Sequence, residues 1–349
     1  MTPDAHLEQL TPEDVGLPEG ARVPFRFAPG DSWSPLVISF PHVGLAWPHE
    51  LRPKPQVEFS RNADYEVQTL YAGVPSLGAA TVTSHFSRLV VDLNRAEDDV
   101  ALQLVPDHPA PRARMKPGVP GSPAPLGWDR PGRGVVWASA MTGARGTTRI
   151  LTPPLSYPAF ESRLARFHRP YYRALEVLLQ RRRERFGYAV LLDAHSMPGS
   201  VGVDLVLGTL EGTSCAEAVA STALGALAGT ADRRSLLSVR RDDPYQGGEI
   251  VRTFGRPSDG VHALQLEVSR RLYMDERVYR VLSWPSDLRP LASQRGPQRP
   301  SGPGLQAPNR RRSRELHELV LRVRSLVRAL SAHPWAQPQT RDAPTPPAS

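Results

Sequence analysis

Short, mainly apolar segments followed by turn-forming residues recur along most of the chain. Leu36–Phe40 and Tyr188–Leu192 are five-residue stretches of this kind, which is the pattern of a buried strand. Residues 158–186 repeat leucines and aromatic residues at helical spacing, and Pro170 is expected to kink or split that helix. Val261–Val268 alternates apolar and polar residues. Strands separated by helical stretches predict an α/β fold.

Two further segments mix polar and apolar residues and are also expected to be regular. Asn62–Tyr71 is predicted to be a helix with Asn62 as its N-cap. Ser87–Arg95 is predicted to be a strand that ends in an amide and a guanidinium. Asp242–Arg252 is expected to be a loop, in which two consecutive glycines permit a close approach.

Composition divides the chain into a main domain and less regular flanking segments. Residues 103–133 and 286–312 are rich in proline, glycine and arginine and show little periodicity. The expected organisation is a loose N-terminal leader at 1–34, a main domain at 35–285 with a loop insertion at 103–133, a linker at 286–312, an amphipathic helix packed on the domain at 313–331, and a disordered tail at 332–349.

The net charge of +8 is concentrated near the C-terminus. Residues 286–328 contain ten arginines and no lysine, against three acidic residues, so the main domain is close to neutral. A basic segment of this kind permits an alternative function, the binding of nucleic acid or another anionic partner through 286–328. Because the main domain does not share the charge, nucleic-acid binding is not the favoured interpretation.

Cysteine content and hydropathy exclude several classes of protein. Cys215 is the single cysteine, which excludes an internal disulfide and a metal site built from several cysteines. No stretch approaches the roughly 18 apolar residues that a membrane-spanning helix needs. The polar, acidic start of the chain does not resemble a signal peptide. We therefore expect a cytoplasmic protein with no membrane partner.

Residues with catalytic potential follow or interrupt the predicted strands. They are His42, the pair Asn94 and Arg95, His195 and Glu267. Two histidines and a carboxylate with one open position form the common catalytic zinc set. The sequence lacks HExxH, GxSxG, GxGxxG and Walker-type patterns.

Two acidic residues near these positions have alternative interpretations. A carboxylate within an apolar strand, such as Glu267, needs a cation or a metal as partner. A structural ion pair with Arg270 or Arg271 is the simpler alternative. Asp193 lies two residues before His195 and is placed to orient that imidazole.

Five segments occur in an order and separation typical of one family. They are Pro41–Gly44, Asp92–Arg95, Asp193–Pro198, Pro244–Gly248 and Gln265–Met274. Together, over roughly residues 36–285, they resemble the N-formylglutamate amidohydrolase family. The resemblance implies an α/β fold similar to that of the zinc carboxypeptidases, a three-layer mixed sheet with helices on both faces.

The resemblance also implies a zinc site and a general base. His42 and His195 would be the metal imidazoles, for one Zn²⁺ per chain, and Glu267 would act as the base. The third ligand has two candidates, Asp64 and Glu50. Asp64 is preferred because the segment around it resembles the family's as a whole.

The implied activity is hydrolysis of the amide of N-formylglutamate, a compound of histidine degradation, or of a related N-acyl amino acid. Asn94 and Arg95 would hold one substrate carboxylate, and Arg252 would hold the second. A paralogous deacylase of another N-acyl compound or a small peptide stays open, because the 103–133 insertion lies near Arg95 in sequence and can reshape the pocket. The oligomeric state is not indicated.

Overall fold

The computed structural model describes most of the predicted main domain and the helix that follows it. Most of the expected 103–133 insertion, the 286–309 part of the linker and the tail from 333 lie outside the described residues. The described ranges are 8–101, 103–109, 133–143, 146–229, 236–282 and 310–332.

A mixed sheet of seven strands lies at the centre of the described residues. The strands of the described residues are β1 (Phe25–Ala28), β2 (Leu36–Phe40), β3 (Ala80–Ser84), β4 (Ser139–Met141), β5 (Thr147–Arg149), β6 (Ala189–Met197), β7 (Leu205–Gly208), β8 (Val239–Arg241), β9 (Val261–Ser269), β10 (Met274–Asp275) and β11 (Arg280–Val281). The order in the main sheet is β1-β3-β2-β6-β9-β7-β8. The strands β3, β2, β6 and β9 run parallel, whereas β1 is antiparallel to β3 and β7 is antiparallel to β9. The predicted mixed α/β class is thereby confirmed.

Helices cover both faces of the sheet and create two apolar cores. The helices are α1 (Tyr157–Arg163), α2 (Arg169–Phe186), α3 (Glu217–Ala228), α4 (Glu249–Phe254) and α5 (Arg310–Ala332). α1, α2 and α4 pack on one face, and α3 and α5 pack on the other. Because both faces are covered, β6 and β9 are buried along their whole length, as central parallel strands are. None of the described helices is both long and apolar enough to cross a bilayer.

The central strand β6 is longer than the sequence predicts. The apolar run indicated an end at Leu192, but β6 continues to Met197. The reason is its pairing with β9, which extends from Ala189 opposite Val261 to Met197 opposite Ser269. Polar residues in the second half of β6 are therefore held rigidly within the sheet.

The predicted strand at Ser87–Arg95 is wrong, because local hydrogen bonds bend this segment into turns. The Leu89 amide donates to Ser87 Oγ and the Val90 amide to the Ser87 carbonyl. The Asn94 amide donates to Asp92 Oδ1. Such side-chain bonds compete with a strand ladder, and they fold the segment against the ends of the strands.

The predicted helix at Asn62–Tyr71 is also wrong. The chain forms two short 3-10 turns, Phe59–Asn62 and Val67–Tyr71, on either side of Glu66, whose φ of 62° is left-handed. The Asn62 side chain does not cap a helix, because it bonds to the carbonyls of Glu58 and Met141.

The expected loose leader does not describe residues 8–34. β1 pairs with β3 over four residues and so belongs to the main sheet. Val15 is buried, and Glu8 accepts two hydrogen bonds from the buried Arg182 of α2. Strand pairing, apolar burial and a buried ion pair hold the segment against the domain. Its proline- and acid-rich composition does not indicate these contacts.

The helical region predicted at 158–186 is interrupted where Pro170 was expected to disturb it. Between α1 and α2 lies a π-helical turn, Leu164–His168. Proline has no amide hydrogen to donate to the preceding turn, so the local bonding pattern widens.

Candidate metal centre and active site

Three buried side chains, His42, Asp64 and His195, converge at the carboxyl ends of the parallel strands. Each offers one donor atom, and these atoms all lie within 4.8 Å of one another. His42 follows β2 and His195 lies in the neighbouring strand β6. The Asp64 amide donates to the His42 carbonyl at 2.9 Å, which holds the Asp64 segment against the end of β2.

The His42 imidazole is held from behind by a carboxylate. Its Nε2 lies 2.7 Å from Asp92 Oδ1. Its Nδ1 lies 3.4 Å from Asp64 Oδ2 and, among the described residues, is buried without a hydrogen-bond partner. Asp92 is itself held by Arg88 at 2.6 Å and by the Trp137 indole at 3.1 Å. The free nitrogen of His42 therefore faces the cluster in a fixed orientation.

The His195 imidazole repeats this arrangement. Its Nε2 lies 2.6 Å from Asp193 Oδ2, and its Nδ1 lies 2.9 Å from Asp64 Oδ2. A carboxylate behind a histidine is the usual way in which proteins orient a metal-binding imidazole. The structure thus places Asp193 as the sequence predicts. The structure also shows that Asp92, part of the Asp92–Arg95 segment, holds His42 in the same way. The sequence alone gives no indication of that role.

The electrostatics of the cluster are those of a cation site. Burial alone raises the pKa of Asp64, but the hydrogen bond from His195 and the neighbouring His42 imidazole hold it well below its usual value. Burial alone lowers the pKa of His195, but Asp193 and Asp64 raise it well above its usual value. The cluster therefore favours positive charge between the carboxylates. Two imidazoles, a carboxylate and the unpartnered Nδ1 of His42 suit a divalent metal ion such as zinc.

Glu50, the other candidate for third ligand, lies elsewhere. It is exposed, and its carboxylate pairs with Arg166 on the surface. Within the described part of the chain, Asp64 is the carboxylate that joins the two histidines.

Glu267 lies opposite His195 in the β6–β9 pairing and is only 6% exposed. Its carboxylate accepts a hydrogen bond from Gln265 Nε2 at 2.9 Å. Neither candidate arginine forms an ion pair with it in the described structure. Arg270 pairs with Asp64, and Arg271 pairs with Asp204 and Glu315.

The protonation of Glu267 is set by its surroundings. Burial raises its pKa to about 7, against the opposing effect of His195. A carboxylate with a pKa near neutrality can both accept and return a proton at physiological pH.

Asn94 is buried, and both ends of its amide are bonded within the protein. Oδ1 accepts from the Ile250 amide at 2.8 Å, and Nδ2 lies 3.3 Å from Asp193 Oδ2. A Cβ at Gly248 would lie 2.2 Å from Asn94 Nδ2, so glycine is required for this close approach. Asn94 therefore ties the turn after β3 to the start of α4.

Arg95 and Arg252 lie on the two segments that Asn94 joins. Arg95 is 16% exposed, with Nη1 3.9 Å from Asp99 Oδ2. Arg252 is in α4, not in a loop as predicted, and is 41% exposed, with Nε 3.6 Å from Glu249 Oε2. Each cation therefore lies within 4 Å of an acidic side chain of its own segment.

The chain is similar to known proteins over most of its length. A family model described as N-formylglutamate amidohydrolase matches residues 34–274. The chain is 32% identical over 259 residues to the N-formylglutamate deformylase of Pseudomonas putida, covering 69% of this chain and 82% of that protein. It is 33% identical over 263 residues to the N-formylglutamate deformylase of Pseudomonas aeruginosa, covering 70% and 83%.

A solved structure extends the similarity to the fold. The crystal structure of N-formylglutamate amidohydrolase from Ralstonia eutropha JMP134 matches with a TM-score of 0.61 and 25% identity, covering 87% of this chain and 97% of that one. The family match includes the three converging donors and Glu267. The chain therefore belongs to the N-formylglutamate amidohydrolase family.

Proposed function

We propose that this protein hydrolyses the formyl amide of N-formylglutamate with the help of a bound metal ion, releasing formate and glutamate. The observation that carries the proposal is the buried cluster of His42, Asp64 and His195, in which each imidazole is held by its own carboxylate. The names of the relatives give the substrate. The same cluster supports zinc as the ion, because imidazole and carboxylate donors suit it.

The chemistry divides between the ion and Glu267. When bound, zinc would polarise the amide carbonyl and lower the pKa of a coordinated water toward about 7. Glu267 accepts a proton as the water oxygen forms its bond to the formyl carbon. It then returns that proton to the glutamate nitrogen as the carbon–nitrogen bond breaks. Its pKa of about 7 suits both transfers.

Arg95 and Arg252 are the proposed partners of the two carboxylates of N-formylglutamate. Both are cationic, incompletely buried, and carried by segments that Asn94 ties together. We assign Asn94 a positioning role, since its amide is already bonded within the protein, and a direct substrate contact would require it to exchange a bond. Holding the carboxylates places the formyl group at the reacting centre.

The wider description follows from the same proposal. Residues 35–285, together with β1, which pairs with β3, form the catalytic domain, of the zinc carboxypeptidase-like type, with metal donors at the carboxyl ends of parallel strands. The substrate is a small molecule taken from histidine degradation in the cytoplasm.

Metal analysis and formate release on one sample test the proposal. We expect about one zinc per chain, formate from N-formyl-L-glutamate, loss of activity on chelation and recovery when zinc is returned. His195→Ala should lose zinc, whereas His49→Ala, an exposed histidine outside the cluster, should keep it. A protein that binds no metal when zinc is supplied contradicts the proposal. Zinc binding without formate release redirects the assay to other N-acyl amino acids.

A further inference from the structure

The two oxygens of the Asp64 carboxylate have different partners. Oδ2 faces the imidazoles, 2.9 Å from His195 Nδ1 and 3.4 Å from His42 Nδ1. Oδ1 accepts from Ser196 Oγ at 3.1 Å and from Arg270 Nη2 at 3.2 Å. The carboxylate is thus fixed in one rotation about its side chain, with a single oxygen toward the cluster.

The backbone around Asp64 does not impose this rotation. The two histidines follow or belong to strands of the main sheet, but Asp64 lies between two 3-10 turns, two residues before the left-handed Glu66. A side chain on such a segment depends on its own contacts for its orientation. The bonds to Oδ1 supply that orientation.

Arg270 is anchored well enough to act as the support. It directly follows β9, and its guanidinium donates from Nε to Ser196 Oγ at 3.0 Å and from Nη1 to Tyr279 Oη at 2.6 Å. Nη2 also lies 3.3 Å from the Ala63 carbonyl. All three nitrogens of the fork are therefore engaged, and the side chain is 14% exposed.

We propose that Arg270 is a positioning residue that, together with Ser196, locks the carboxylate of Asp64 so that Oδ2 alone is presented to the metal ion. The proposal rests on the proposed function only in taking Asp64 as a ligand. Arg270 does not contact the ion or the substrate in this role. Its effect is exerted through the geometry of the ligand.

Geometry and charge must be separated in the test. Loss of the Arg270 charge would remove repulsion toward a metal ion and so strengthen zinc binding. Loss of the guanidinium hydrogen bonds would free the Asp64 carboxylate and so weaken zinc binding. A neutral variant of Arg270 would combine these two opposite effects. Arg270→Lys keeps the charge but cannot reach Ser196, Tyr279 and Asp64 together. Ser196→Ala removes one bond to Oδ1 without changing any charge.

The experiment measures zinc affinity of the metal-free full-length protein by competition with a chromophoric chelator. We expect Arg270→Lys to raise the Kd for zinc about 10- to 100-fold, the usual cost of losing a partner that orients a ligand. Ser196→Ala should raise it by a smaller factor. Arg271→Lys is the matched control, because Arg271 is the next residue and pairs with Asp204 and Glu315 instead. The Kd of the Arg271→Lys variant for zinc should equal that of the wild type.

Wild-type zinc affinity in both Arg270→Lys and Ser196→Ala would overturn the proposal, as would an equal loss in Arg271→Lys. Thermal unfolding of the metal-free variants shows whether each one folds. If Arg270→Lys does not fold, the zinc affinity of Ser196→Ala still tests the proposal. Formate release is measured separately. A wild type that binds zinc but releases no formate refutes the proposed activity, while weakened binding in the variants would still support the positioning role.

Discussion

At the scale of single residues, each imidazole of the candidate metal centre has a carboxylate behind it and a shared carboxylate in front. Asp92 and Asp193 hold the outer nitrogens, and Asp64 faces both inner ones. The outer carboxylates fix the tautomer of each ring, because an Nε2–H donated to a carboxylate leaves Nδ1 as the ligand atom. The two short bonds therefore hold each ring with its inner nitrogen directed toward Asp64.

Glu267→Gln tests the assignment of the base. The amide keeps the shape of the side chain but cannot accept the proton, so we expect kcat to fall about 10²- to 10⁴-fold with zinc content unchanged. Steady-state kinetics and elemental analysis on the same preparation measure both. Glu161→Gln, on the surface helix α1, is the control and should retain full turnover. Unchanged kcat in Glu267→Gln removes the residue from the mechanism.

Several residues of the site were predictable from sequence for a physical reason. Histidines and acids placed at the ends of apolar runs stand out, because such runs predict strands whose carboxyl ends meet. The sequence does not indicate that Asp92 supports His42, because 50 residues separate the two and only the fold brings them together. The internal bonds of Asn94 were hidden in the same way, because Ile250 lies 156 residues away.

At the scale of elements, β6 shows what an apolar pattern can and cannot predict. The run up to Leu192 marks the buried strand, but the strand continues through Asp193 and His195 because β9 pairs with it along its whole length. The polar residues after Leu192 suggest a loop, but pairing with β9 keeps this segment in the strand. The predictions for 87–95 and 62–71 are wrong for a different reason. Side-chain hydrogen bonds bend 87–95 into turns, and the left-handed Glu66 interrupts 62–71.

The helix α5 offers a matched test of how much its packing contributes. Leu319 is fully buried in the apolar core between α3, α5 and the sheet, while Leu321 is 44% exposed. Leu319→Ala should lower the free energy of unfolding by about 2–5 kcal/mol, and Leu321→Ala by less than about 0.5 kcal/mol. Urea denaturation measures both. Equal effects of the two substitutions would mean that α5 does not pack as described.

Glu97 connects the turn that carries Arg95 to the start of α2, through His168 and Arg169. The neighbouring His168 imidazole, 3.6 Å away, and the Arg169 guanidinium lower the pKa of Glu97 to about 2 from an ordinary 4.5. A folded-state pKa below the unfolded one stabilises the protein at pH values above 4.5, and this contribution is lost as the pH falls from 4.5 toward 2.

Glu97→Gln should therefore lower Tm at pH 7, and the difference from the wild type should narrow as the pH falls below 4.5. Thermal unfolding at pH 7, 5 and 3 measures it. The effect is moderate, because the carboxylate is 39% exposed and solvent screens it. Glu176→Gln, which removes an exposed pair with Arg173, should change Tm little at any of these pH values. A Tm difference between Glu97→Gln and the wild type that stays constant from pH 7 to pH 3 would contradict the link between the pKa of Glu97 and stability.

At the scale of the whole molecule, the positive charge and the metal centre are separate. The net charge of +8 derives mainly from arginines near the C-terminus, whereas the centre is built from buried residues of the sheet and its adjoining turns. Arg310 and Arg314 of α5 are exposed. Surface charge of this kind favours anionic polymers without taking part in catalysis.

The double substitution Arg310→Gln and Arg314→Gln should separate the two properties. We expect elution from a heparin column at lower salt, because two exposed cations are lost, and unchanged formate release. The control is Arg173→Gln with Arg240→Gln, which removes two exposed arginines outside α5 and should alter elution less. A fall in formate release in the α5 variant would argue that the basic helix contributes to activity.

The wide spacing of the metal donors along the chain also determines when the ion can be captured. His195 is synthesised 131 residues after Asp64, an interval on the order of ten seconds at ordinary rates of translation. Arg270 follows later still, and β9 must pair with β6 before Arg270 reaches the Asp64 segment. If the donors bind the proposed ion, we do not expect that ion to act as a template for the nascent chain, as it does in a zinc finger. On this proposal the metal binds a sheet that has already formed, and we expect protein made without metal to be folded but inactive.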